Sequence, residues 1–513
     1  MITADSPQVY TAWKRATTQT LHILDTWLPS LRTTLGSMAL ARGDLPVVHH
    51  LLLARQAQAP DLVVQFVGPP ADPHSTLLVY LDGMVDASRL TTSLVTQPQS
   101  VAGVLRHSGA AIRKTGDWAG VIRAYLIGQV VVLRAGHTQA LLVDLSEPPH
   151  RAVSQPDTEH SIRGPQEAFL EVGDLQVSQL RHRLPSADLT VEAVTVGSRI
   201  PTVCRIVYLA GLAAPTVVET VRQRLQGLSV DAATNATRVG SLIRDHSWAF
   251  FPTVRYTERV DLAAFQIEQG KVAILVSGDP AVITVPATLS DFYRTSADYS
   301  AAWYDASFIR IIRGLAWGFG LFLPALYIAL TEVNPDLISP TLFDLVAGSH
   351  TGLPFTPLVE VVVMILVIEI LREAALRLPK VLGSTIGTVG AIVVGTAVVK
   401  AGFVSPQIIV LMTLTALSLF SVPTYELLAS WRLMSWMMLG AGFVLGVYGI
   451  VLLTLWLSVV LIGLSSFGTP YLTPIAPWRP KDWDNLFIRA PWTTLRRRLT
   501  ESQTQDLKWW DRS

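Results

Sequence analysis

LVYLDG at residues 78–83 recurs as IVYLAG at 206–211, and GQVVVLRAG at 128–136 recurs as GKVAILVSG at 270–278. Each member of the second pair runs on into another β-rich stretch, ALLVDLS (140–146) and AVITVPA (281–287). A short unbroken apolar run bounded by glycine reads as a strand buried on both faces. Each copy therefore reads as a buried strand, a helical crossover and a hairpin, the hairpin closing near Gly136 in one copy and Gly278 in the other. This predicts an N-terminal helical segment at 1–50 and two similar α/β subdomains at 50–155 and 190–290. Between them, SIRGPQEAF (161–169) puts Pro165 in the first turn of a connecting helix, within 156–189, that runs to about Leu184.

Little in this half points to chemistry. Lys and Arg total 40 against 39 Asp and Glu, so no charged face invites nucleic acid. The single cysteine, Cys204, excludes an internal disulfide and a multi-cysteine metal site, and reads as a buried, inert thiol. There is no phosphate loop, H-E-x-x-H, G-x-S-x-G or complete G-x-G-x-x-G, and the histidines are scattered apart from His49–His50. The expectation is no catalytic residue, no cofactor, no metal and no enzyme. Asp82 reads as a turn cap, with a ligand contact as the alternative. Glu258 and Arg259 read as a solvated pair, with a domain contact as the alternative.

The back half is a membrane domain on its composition. Residues 314–330, 381–399 and 407–425 carry no charge, and none of Asp, Glu, Lys or Arg occurs from Leu433 to Trp478. Each run approaches the roughly 20 residues that a helix needs to cross the hydrocarbon. Residues 331–357 lack Lys and Arg and so read as external, whereas Arg310, Arg313, Arg372, Arg377, Lys380, Arg432 and Arg496–Arg498 read as cytoplasmic. The N-terminus has no signal-peptide pattern, so the front half is expected to stay in the compartment of synthesis. With soluble half and tail both inside, the number of crossings is even. Five apolar segments are countable at 300–465, so one of them does not cross simply.

Residues 358–373 are the leading exception, because Glu360, Glu369 and Glu373 interrupt them. A carboxylate at bilayer depth needs water or a partner, and Arg372 stands at i,i+3 from Glu369. The segment reads either as an interfacial anchor with an internal ion pair or as a water-facing stretch that attracts cations. In 381–399, Gly383, Gly387 and Gly390 form a stripe for close helix packing. Thr385, Thr388, Ile392 and Thr396 form a second stripe that would suit the wall and constriction of a narrow pore, or tight packing with back-bonded threonines.

The tail, SFGTPYLTPIAPWRPKDWDNLFIRAPW at 466–492, holds five prolines and three tryptophans. Proline fixes φ and removes a donor, so this stretch resists becoming another helix. Over 466–513 it reads as a surface-running tail, with Trp478, Trp483, Trp492, Arg479, Lys481 and Arg489 at the headgroup level, suited to bracing the soluble domain or a neighbouring subunit.

This signature (SFG, PYL, AP, RPKD, RAPW) resembles that of the A subunits of GerA-type spore germinant receptors. So do ASFIRIIRG (306–314), LFLPALYIALT (321–331), PFTPLVE (354–360), EILREA (369–374), RLPK through AGFVSP (377–406), IRGPQEAFLE (162–171) and YTERVD (256–261). The chain departs from the family pattern at Val260, Gln176 and Ile365, where the family has proline, asparagine and a nearby glutamate. The resemblance implies an α/β soluble region of two similar subdomains followed by an α-helical multi-pass membrane domain. It implies a complex in the inner spore membrane with a transporter-like B subunit and a lipoprotein C subunit, the subdomains and tail being cytoplasmic. In that family the A subunit is thought to self-associate into an ion channel that triggers germination. A non-conducting scaffold subunit is the alternative, and a secondary transporter a weaker one, since no inverted repeat is visible among the membrane segments.

Overall fold

The computed structural model describes residues 59–67, 76–86, 111–134, 137–146, 164–377, 402–495 and 497–508, with isolated positions between them. The expected stripes of Gly383, Gly387 and Gly390 and of Thr385, Thr388, Ile392 and Thr396 lie outside the described residues. So does the 1–50 segment, apart from His49.

Two five-stranded sheets repeat one topology. The first comprises β1 (Leu62–Val67), β2 (Thr76–Leu81), β3 (Ile112–Thr115), β4 (Val130–Arg134) and β5 (Ala140–Val143), in the spatial order β1-β2-β4-β5-β3, with α1 (Trp118–Leu126) between β3 and β4. After α2 (Gly173–Arg183) come β6 (Leu189–Val196), β7 (Thr202–Leu209), α3 (Pro215–Gln226), α4 (Ala236–Ile243), β8 (Arg255–Thr257), α5 (Val260–Glu268), β9 (Val272–Val276) and β10 (Val282–Val285). The second sheet runs β6-β7-β9-β10-β8, the same order, with α5 where the first copy has α1. The hairpin of the second copy turns at Gly278, whose φ of +95° glycine alone adopts freely. Cys204 is a buried thiol.

The chain divides into two compact units. In the first, successive strand residues serve opposite faces. Leu77, Val79, Leu81, Val131 and Leu133 pack with Val121, Ala124 and Tyr125 of α1, whereas Leu78, Val130, Val132 and Val143 build a core on the other side. Both faces are covered, which is why the strands read as unbroken apolar runs. Helix α2 is tied to this sheet by the buried Arg181, which donates to both oxygens of Asp61 (2.7 and 2.9 Å), and by the Ser178 hydroxyl on the Gly83 carbonyl (2.9 Å). Asp82 is exposed and accepts from the Gly83 amide, as a turn residue does.

Helix α2 starts at Gly173, eight residues beyond Pro165. The stretch around Pro165 is extended because its backbone is spent elsewhere: the Phe169 amide donates to the Glu258 carbonyl (2.8 Å) and the Val260 amide to the Glu167 carbonyl (3.2 Å). The same contact corrects the solvated reading of Arg259. Its side chain is buried, paired with Asp261 at 2.9 Å and donating to the Pro165 carbonyl at 2.8 Å.

The second unit carries α6 (Leu289–Tyr293), α7 (Ser296–Ser300), α8 (Trp303–Ile328, continued by a π turn Ala329–Val333), α9 (Pro340–His350), α10 (Pro357–Arg377), α11 (Pro406–Phe420) and α12 (Tyr425–Gly463). Trp303–Val333 and Tyr425–Gly463 are long and apolar enough to cross a membrane, and α11 is a shorter apolar helix.

The uncharged run after Leu433 hides a reversal. A straight helix of 39 residues would span roughly 58 Å at 1.5 Å per residue. Yet Ser430 donates to the Phe250 carbonyl (2.7 Å), while Ser465 and Ser466, at the other end, donate to Asp245 (3.2 Å) and the Thr253 carbonyl (2.6 Å). Both ends therefore meet the same stretch of the second subdomain. The break is at Gly446 (φ 64°, ψ −145°), and Gly449 lies so close to the Ala441 carbonyl that a Cβ there would sit 2.1 Å from its oxygen. Helix α12 is thus two helices in a hairpin, α12a before Gly446 and α12b after it. Segment α12a runs alongside α8, with Trp431 by Trp317, Gly442 by Ala325 and Gly446 by Asn334. Helices α10 and α11 run the opposite way: Leu358 reaches Glu332, and Leu419 lies by Gly320. One continuous core joins Phe251, Phe292 and Tyr293 of the soluble part to Trp317, Trp431, Met434, Leu457 and Tyr471.

Candidate functional site

The feature with the most concentrated chemistry is the joint where the second subdomain, the start of α8 and the tail meet. It begins locally, with two capping boxes. In T-L-S-D (288–291) and T-S-A-D (295–298), each threonine side chain caps the third residue on and each aspartate reaches back to the threonine amide. The boxes fix both aspartates, and each aspartate then holds distant cations.

Asp291 takes the Lys271 ammonium at 2.5 Å and stands 3.6 Å from Arg294, whose other partner is Glu501 of the tail at 2.5 Å. All four side chains are buried, two positive and two negative. Burial pushes the Lys271 ammonium down and the Glu501 carboxyl up. Burial also opposes the charge on Asp291, but the Lys271 and Arg294 cations hold that carboxyl well below its usual range.

Asp298 accepts from Arg310 at 3.0 Å and from Arg313 through both oxygens at 3.0 Å. Arg310 has no exposed surface and also donates to the Asn485 carbonyl of the tail at 2.9 Å. Arg313 donates to the Tyr293 carbonyl at 2.7 Å, and the Tyr293 hydroxyl returns a bond to the Arg310 carbonyl. The first turns of α8 are thereby bolted to α6, α7 and the tail. The tail adds backbone ties: the Leu289 amide donates to the Tyr471 carbonyl (2.9 Å) and the Ala287 amide to the Ser466 hydroxyl (2.9 Å).

The surface residues expected in the tail divide. Trp478 is exposed and packs on Trp483 with the rings tilted and their centroids 4.4 Å apart, and Trp492 is also exposed. Arg479 is held inside the tail by the Thr500 hydroxyl (2.7 Å). Lys481 is the second residue of the 3₁₀ turn Pro480–Asn485, and its side chain lies outside the described residues. Arg489 is no surface anchor: it is buried, its amide donates to Ser307 (3.0 Å), and its guanidinium lies 4.9 Å over the Trp492 ring.

The three carboxylates of α10 are not brought together. Glu360 has no exposed surface; it accepts from the Ser405 amide (2.7 Å) and lies 2.9 Å from His350 Nδ1, so it pins α9, α10 and α11 rather than facing a water-filled mouth. Glu369 pairs with Arg372 at 3.0 Å and with Arg432 of α12a at 2.6 Å. Glu373 is exposed one turn further on. Asp291, Asp298, Lys271, Arg294 and Glu501 were not singled out by sequence. The usable signal was the doubled T-x-x-D just ahead of an apolar helix.

Comparison with known proteins decides the family. The family described as "Bacillus/Clostridium GerA spore germination protein" matches residues 52–501. The chain belongs to the GerA spore germination protein family. It is 32% identical over 428 residues to Spore germination protein KA of Bacillus subtilis (strain 168), covering 81% of this chain and 78% of that protein. It is 35% identical over 365 residues to Spore germination protein GerQA of Bacillus cereus, covering 71% and 73%. Among solved structures, the N-terminal domain of the A subunit of the Bacillus megaterium spore germinant receptor GerK3 aligns at 22% identity and a TM-score of 0.35, over 46% of this chain and 94% of that one. GerA proteins are spore germination proteins not known as enzymes, and in this GerA chain the joint ties the first turns of α8 to α6, α7 and the tail.

Proposed function

We propose that the chain is the A subunit of a nutrient germinant receptor in the inner spore membrane, with its α/β subdomains and tail on the cytoplasmic side, where it couples events in the soluble region to the membrane helices. What carries this reading is the return of three helix ends, the start of α8 and both ends of the α12 hairpin, to one subdomain. The hairpin also meets the demand for an even number of crossings. Counting α8, α10, α11, α12a and α12b as crossings and reading the apolar run at 381–399 as a sixth gives that even number. Reporter fusions at residue 300 and at the C-terminus should both report inside; an outside signal from either would overturn the six-crossing topology.

In this reading the subunit works with a transporter-like B subunit and a lipoprotein C subunit, and several copies surround a gated ion path. The uncharged run at 381–399, read from the sequence as a helix, would form its wall, because it does so without burying charge. Ile392→Ala should widen the constriction and give a measurable ion leak from liposomes holding the purified oligomer, at unchanged complex abundance. Flux per complex equal to wild type would favour a non-conducting scaffold. The internal pairing of Glu360 and Glu369 supports that second reading, since neither carboxylate is left to gather cations.

A further inference from the structure

The joint contains a cavity of about 240 Å³ between α6, α8, α12a and the tail, far roomier than the other recesses at the joint and around Glu369. Its walls are mostly apolar: Trp317, Trp431, Leu472, Ile475 and Phe487 contribute, with Gly318 of α8 opening one side. A Cβ at Gly318 would meet nothing within 4 Å. The polar groups of the wall are nearly all spent. The Tyr293 hydroxyl bonds the Arg310 carbonyl, the Thr473 hydroxyl bonds the Pro470 carbonyl, and Trp431 Nε1 donates to the Trp317 carbonyl. One donor is not. Trp317 is 7% exposed and its indole Nε1 is buried without a hydrogen-bond partner. A buried N–H left unpaired costs free energy that a ligand acceptor relieves, and an aromatic-walled pocket with few polar groups suits a small apolar ligand.

We infer that this cavity is a binding site for a small neutral molecule with an apolar body and one hydrogen-bond acceptor, which the Trp317 indole N–H recognises. An aryl ether and the ester end of a lipid acyl chain share that chemistry. The site goes beyond the receptor reading and does not depend on ion conduction.

The test uses the purified full-length chain and a diazirine-bearing aryl ether as photolabel, with sites mapped by mass spectrometry. Labels should fall on the 314–318 and 472–475 segments and be competed by anisole. Gly318→Leu adds a side chain whose Cβ meets nothing within 4 Å and should cut labelling about tenfold or more, with the melting temperature retained. Trp317→Phe should weaken the ether several-fold while leaving an analogue with ethyl in place of methoxy unchanged. Native mass spectrometry separates the sources. Phospholipid that co-purifies with wild type and is lost in Gly318→Leu identifies the acyl ester; uptake of anisole with no lipid lost identifies a free molecule. Labelling that survives Gly318→Leu, or that spreads over the helices without competition, overturns the site.

Discussion

Gly446→Ala should disrupt the α12 hairpin, lowering the stability of the purified chain by about 3 kcal/mol or more. Two separate costs add. The backbone there (φ 64°, ψ −145°) is in a region that glycine alone occupies readily, so any side chain is strained. A Cβ would also lie 1.8 Å from Asn334 Oδ1, which accepts the Val447 amide at 3.0 Å and so caps the first turn of α12b. Asn334 would have to leave, stranding a backbone N–H where water is scarce. Thermal unfolding in detergent and abundance in the membrane provide the readouts. Asn334→Ala removes the cap without the strain and should cost less, about 1–2 kcal/mol. If Gly446→Ala proves no worse than Asn334→Ala, the reversal is not held by backbone conformation.

That reversal shows where reading the sequence stops. The repeat was legible because β2 and β4 of the first copy and β9 of the second are buried on both faces, and burial on both faces leaves an unbroken apolar word. The α/β half therefore declared its architecture through local composition. A turn inside a helical hairpin has no such mark. LGAGFVLGVYG (439–449) contains no charge, proline or turn pair, and its glycines look like a packing stripe. What makes Gly446 a corner is Asn334, over a hundred residues away. The joint was half legible for the same reason. T-L-S-D and T-S-A-D announce two aspartates fixed at helix starts, but nothing local says that Arg310, Arg313 or Glu501 will reach them. The tail's prolines announced an extended course; which of its basic residues face solvent depended on partners such as Ser307, and there Arg489 went inside. Helix α2 failed in the opposite sense. Pro165 is a good helix opener, but its neighbours' amides and carbonyls had already paired with the strand-like stretch at 258–260.

The Asp298 site gives the second large effect. Asp298→Asn keeps the shape and most of the cap, but it leaves Arg310 and Arg313 without their shared counter-charge. Arg310 is fully buried and Arg313 nearly so. Burial pushes the Asp298 carboxyl up, yet hydrogen bonds and charge from Arg313 and Arg310 hold it below its usual range, so it is ionised at neutral pH. Breaking a buried ion pair by removing one partner typically costs about 3–5 kcal/mol, because the remaining charge is uncompensated. The same variant should loosen the start of α8 from α6 and α7, seen as new protease cleavage near residues 295–305 with both flanking parts intact. In spores, the germination response should fall at equal receptor abundance, since the subdomain would no longer be rigidly tied to the helices. A second substitution separates charge from shape. Asp298→Asn with Arg313→Met removes one of the two stranded charges and leaves Arg310 with its carbonyl partners at 485 and 486. The double variant should recover more than half of the lost stability. If Asp298→Asn alone melts like wild type and resists protease equally, the guanidiniums are satisfied without the aspartate, and the joint is not the rigid link between the two halves.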